Sequence, residues 1–256
     1  MAKEHIISGV HNYCDRWCER CVFVDRCALG VLELKRWAKG KDWEPEDFLQ
    51  ELDALLEEPT EEAAAWLEEM DFSIDDEEEM EEILSDPQLE ALQKAMRERG
   101  MRYFRAVQAF LDARRDQLGE SRIDLVGAHL EGRDHQERSE LAEALEVITW
   151  YLHFIFVKAS RALSGLEDMH EEHWGSHRQS DANGSAKIAM LAAQRSIGAW
   201  EVVHRYWPDQ QHSIAEFVQQ INQFRSSLEQ YFPDWRKFVR PGFDTEAAPA
   251  AKFGAN

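Results

Sequence analysis

All four cysteines of this 256-residue chain fall within fourteen positions, as Cys14, Cys18, Cys21 and Cys27 in the spacing C-x3-C-x2-C-x5-C. No other feature constrains the fold as strongly. Four thiols this close, set among Asp15, Arg16, Glu19 and Arg20, do not read as ordinary core residues. The apolar run from Ile6 to Val10 is broken early, and no small-residue cleavage site follows it. No stretch approaches about 20 apolar residues, so the expectation is a cytoplasmic chain with no membrane span. In a reducing cytosol, clustered cysteines bind metal more often than they form disulfides.

Four thiolates satisfy either tetrahedral zinc or an iron–sulfur cluster. Reach separates the two. If residues 11–22 are helical, Cys14, Cys18 and Cys21 lie on one face, with the outer pair about 10 Å apart along the axis. Three ligands strung along a straight helix do not converge on a zinc ion that needs sulfur at about 2.3 Å. A cubane offers separate iron corners, so a 4Fe-4S cluster is the favoured cofactor; in a tight loop, zinc is equally good. Arg16, Arg20 and Arg26 would offset a cluster's negative charge, and Trp17 and Phe23 would shield it from water.

The first three cysteines resemble the C-x3-C-x2-C spacing of radical-SAM enzymes, and the last three resemble the C-x2-C-x5-C spacing of WhiB-like cluster-binding regulators. Each likeness covers the motif alone. The first implies an α/β barrel and an open iron, at odds with a chain that shows no strand runs and has a fourth cysteine. The second departs in the position of the first cysteine. Spacing therefore assigns no family.

The net charge of −21 sits in one place: residues 44–90 hold twenty-one Asp and Glu and no Lys or Arg, and the remainder is balanced. Nucleic-acid binding through a broad basic face is excluded on that distribution. A solvated surface is the plain reading of the acidic segment, and recruitment of a basic protein partner is the sharper one. Apolar content of 44% is enough for a well-buried core.

Hydrophobic spacing predicts an all-α, multi-helix bundle. Residues 1–40 form the metal-binding segment, 41–86 an acidic region with short helices over about 45–57 and 60–70, 87–239 the bundle core, and 240–256 a disordered tail. The core helices are expected over about 87–117, 139–163, 185–206 and 213–231. Asn183-Gly184 reads as a turn before a cap at Ser185, and Ser213 with Glu216 reads as a capping box.

Polar groups interrupt the apolar core helices. Glu146, His153, Glu201 and His204 make a second candidate metal site, because Glu201-Val-Val-His204 is a Glu-x-x-His step of the sort used in di-iron bundles. The more common outcome is a satisfied network such as Glu146 with Arg195. His170, His173 and His177 form H-x2-H-x3-H, a further candidate for zinc or iron. Three functions follow: a cluster protein with an electron-carrying or redox-sensing role; a non-enzymatic adaptor stabilised by zinc; and a metal-dependent oxidase in the bundle.

Overall fold

The computed structural model describes residues 6–40, 87–114, 140–166 and 177–244. Within these residues every regular element is helical: α1 (Ala28–Lys39), α2 (Pro87–Asp112), α3 (Glu140–Ser164), α4 (Asp181–Tyr206) and α5 (Gln211–Tyr231). Short 3-10 turns occupy Cys18–Arg20, Val24–Arg26, His177–Gln179, Pro208–Gln210 and Trp235–Lys237. The chain is therefore all-α, as hydrophobic periodicity predicts. The short helices expected over 45–57 and 60–70 lie outside the described residues.

Helices α2 to α5 form an antiparallel bundle. Arg205 and Tyr206 at the end of α4 reach Glu140 at the start of α3, and Arg161 near the end of α3 pairs with Asp181 at the start of α4. Tyr103 of α2 lies beside Phe156 of α3, while Phe104 lies beside His153. Arg99 of α2 donates to Ser227 of α5 at 2.9 Å, and Phe110 meets Phe217 further along. Buried positions recur on several sides of α3 and α4, the pattern of central helices. Ala189, Ala192 and Ala193 are buried, so small side chains let α4 approach its neighbours closely. Gly198, on the same helix, is exposed. At the centre, the indole of fully buried Trp200 donates to the Tyr103 hydroxyl at 3.0 Å, which satisfies a polar tip inside an apolar core.

Helix starts differ from the expected ones. α4 begins at Asp181, with the Ser180 side chain accepting from the Asn183 backbone N–H, so Asn183-Gly184 lies inside the first turn rather than in a loop. A tertiary contact explains why. A Cβ on Gly184 would come within 2.3 Å of the Tyr13 ring and 2.7 Å of Phe238. The glycine is there for close approach of the N-terminal segment, not for a turn. α5 follows directly on the Pro208–Gln210 turn and starts at Gln211, so Ser213 and Glu216 sit within the helix and make no capping box.

The C-terminal stretch is ordered further than expected. Phe232, Trp235 and Phe238 are buried, and residues 240–244 fold back over the N-terminal segment. Phe23 and Phe243 meet edge to face at 5.0 Å, and a Cβ on Gly242 would lie 3.2 Å from both Ile7 and Val10. Asp244 accepts from Lys187 of α4 at 2.7 Å and from the Arg240 backbone at 2.9 Å. The rest of the expected tail lies outside the described residues.

Two expected outcomes follow. Gly184→Ala gains helix propensity but overpacks against Tyr13, and lowers unfolding stability by roughly 1–3 kcal/mol in urea titrations. Burial opposes ionisation of Asp244, but hydrogen bonds from Arg240 and Lys187 outweigh it and hold the carboxyl at about 2. A carboxyl depressed below its unfolded value near 4 stabilises the fold above that pH and loses this contribution as pH falls toward 2. Thermal unfolding of wild type and Asp244→Asn should therefore diverge at neutral pH and converge as pH falls to about 2.

Candidate metal centre

The cysteine segment is a loop, not a helix. Two 3-10 turns and extended residues between them carry the chain from His11 to Cys27, and α1 then begins with Cys27 at its N-cap position. Of the two geometries the spacing allows, helix or tight loop, the segment takes the loop, so Cys14, Cys18 and Cys21 share no helical face. Convergence comes from the turns instead: all four cysteines line one small cavity of about 20 Å³, together with Val10, Trp17, Val24 and Phe243. Each is a free thiol; Cys27 is buried and the other three are partly buried. The backbone must pass tightly here. A Cβ on Gly30 would lie 2.2 Å from the Val24 carbonyl oxygen, so only glycine lets α1 pack against the turn that delivers Cys27.

Asp15 fixes this loop to the bundle. Its carboxylate accepts from the Tyr151 hydroxyl at 2.6 Å and from Arg195, which in turn donates to the Tyr151 oxygen at 2.7 Å. Its carbonyl accepts from the Trp150 indole at 3.0 Å. It also accepts from the Trp17 backbone N–H at 3.2 Å, an Asx-type turn around Arg16. Arg16 has φ of 59°, the single positive value outside glycine among the described residues. That strained backbone lets the flanking Asp15 and Trp17 both face the bundle while Arg16 stays exposed. Trp17 stacks on Trp150 with centroids 4.9 Å apart, and Arg20 lies over its ring while pairing with Glu146.

The thiols are electrostatically unfavourable as a bare anionic set. Burial first, and then the neighbouring cysteines, push Cys18 up to about 12 and Cys21 up to about 11; burial also raises Cys14. Partial compensation comes from the backbone. The Phe23 N–H donates to the Cys21 sulfur at 3.4 Å, and the Arg16 N–H acts likewise on Cys14. The positive end of α1 also begins at Cys27, which favours negative charge nearby. A bound cation would supply the remaining compensation and release protons as it binds.

The other candidates are dispersed. Glu146, 6% exposed, is held by Arg20, while Arg195, its expected partner, is held by Asp15. His153 is exposed against Phe104, and Glu201 is exposed on α4. His204 is half-buried, with Nδ1 lacking a hydrogen-bond partner. Among the described residues, no three His, Cys, Asp or Glu side chains close on a point that could hold a single metal ion. His170 and His173 lie outside the described residues, as does the acidic stretch through residue 86; His177 opens the 3-10 turn before α4. Asp15 was missed on sequence. The available signal was Arg195, a charge inside an apolar helix that required a carboxylate without saying which one.

No known protein family matches this chain, and neither the curated proteins nor the solved structures contain one that is similar to it.

With both thiols protonated at neutral pH, Cys18 and Cys21 of the reduced, metal-free protein should alkylate with iodoacetamide slowly at pH 8. The rate should rise steeply above pH 10, as read by mass spectrometry. Alkylation at pH 8 as fast as that of a free cysteine peptide is the contrary result.

Proposed function

We propose that this is a metal-cluster protein in which Cys14, Cys18, Cys21 and Cys27 hold an iron–sulfur cluster with an electron-carrying or redox-sensing role. The observation that carries the reading is the shared cavity: turns, not a helix, bring all four thiols to one space on the flank of α3 and α4. Because the segment is a loop, four thiolates suit a cluster or a single tetrahedral ion alike, and among the described residues no three donors are placed as they stand to hold one ion. The donor set also fits an anionic cluster. Two sulfurs receive backbone N–H groups, and Trp17 and Phe23 are buried beside the site. When bound, the cluster supplies one-electron chemistry. The chain binds it, limits water access and sets the charge around it.

A small cavity is the observation that favours the second reading, structural zinc in a non-enzymatic adaptor. A space of about 20 Å³ holds about one water, so a cubane requires the thiols to swing outward. Recruitment of a basic partner through residues 44–90 belongs to that reading. A metal-dependent oxidase has less support, because Glu146 is engaged by Arg20 and His153 faces solvent.

Anaerobic purification with iron, sulfide and zinc quantification decides between the two. Wild type should carry iron and sulfide with broad visible absorption. Cys18→Ser and Cys21→Ser should lose most of it while far-ultraviolet circular dichroism keeps the bundle's helical signal. A colourless protein with zinc and no iron would establish the adaptor reading instead.

A further inference from the structure

We infer that the Trp17 indole N–H is a hydrogen-bond donor to the group held by the four cysteines, and raises its reduction potential. The inference rests on the cluster reading above. Trp17 is 4% exposed, lines the thiol cavity, and has a buried Nε1 with no hydrogen-bond partner in the protein. Buried indole N–H groups normally find an acceptor, so an orphaned one at the wall of a candidate site points to a missing ligand. The ring's surroundings say which part of it remains for that ligand. The Arg20 guanidinium lies 4.1 Å from the ring centroid, and Trp150 stacks at 4.9 Å with planes 19° apart. Two groups centred so closely on one ring need separate faces. Tyr151 abuts it at 80°. With both faces covered, only the ring's edge, which carries the N–H, is left to meet the cavity.

The neighbouring tryptophan differs on this point. The Trp150 indole is committed to the Asp15 carbonyl at 3.0 Å, although both rings belong to one stack. The Asx turn at Asp15 and the stack on Trp150 fix the position of Trp17, so its free donor is preorganised. Sulfide or thiolate sulfur is the acceptor chemistry that fits. A donor to cluster sulfur stabilises the more negative, reduced state, and therefore moves the potential upward.

The test uses full-length wild type and Trp17→Phe, which keeps an aromatic stack but removes the donor. Both are loaded anaerobically, quantified for iron and sulfide, and titrated with dithionite and redox mediators. The expected result is equal cluster content with a midpoint potential shifted to more negative values in the variant. Equal potentials at equal iron content overturn the inference while leaving the cluster reading intact. A wild type that takes up zinc but no iron overturns the cluster reading, and the inference with it. If Trp17→Phe does not load, wild type labelled with indole-15N tryptophan and reduced by dithionite is measured by pulsed electron paramagnetic resonance. A nitrogen coupling supports the inference, and its absence overturns it.

Discussion

The Asp15 carboxylate is the contact on which the rest of the architecture depends. It sits one residue after Cys14 in the loop, and accepts from Tyr151 on α3 and Arg195 on α4. Each partner needs the other. Arg195 is a partly buried cation on α4, and would be costly without a carboxylate. Burial first, and then Asp15, raises the Tyr151 pKa and keeps it a neutral donor. The network therefore does two jobs with one charge: it neutralises the bundle's flank and fixes the cysteine loop to it. Tyr13 against Phe238 and Phe23 against Phe243 then clamp the loop from the C-terminal side.

That rigid backing matters for the chemistry of the thiols. Loop residues are ordinarily the mobile part of a fold, whereas a metal site needs its ligands held in place. Here the loop is tied at Asp15, packed through Trp17, and closed by a backbone bond from Ile7 to the Arg26 carbonyl at 2.8 Å. Burial raises the pKa of Cys14, Cys18 and Cys21, so a metal binding there would have to displace protons. The same burial that penalises thiolate there would limit water access to a group held by the four sulfurs.

The four core helices were readable because apolar residues recur with the period of a helix over more than twenty positions. Their starts were less so. Ser180 rather than Ser185 caps α4, since Gly184, which reads locally as a turn former, is instead required small by Tyr13 from the far end of the chain. The Arg240 tail reads as disordered by its Pro and Gly content. Phe243 and Asp244 nonetheless find partners in Phe23 and Lys187, which no local pattern announces. For the candidate site, spacing singled out the four cysteines but left helix and loop open, and the structure takes the loop. Asp15, Trp17 and Arg20 use their polar and aromatic groups to bind α3, and this pulls the segment out of helical geometry.

Sequence alone determined the clustering of the four cysteines, the all-α class and the location of the acidic charge, because each is a matter of residue type and local period. Tertiary structure decided how the donors meet. The turns at Cys18–Arg20 and Val24–Arg26, the positive φ at Arg16 and the close pass of Gly30 bring four thiols around one cavity. It also decided that Glu146 meets Arg20 and Arg195 meets Asp15, rather than each other. The physical reason is common to both. A buried charge or a strained turn is stable only against specific partners, and those partners lie more than a hundred residues away in the chain.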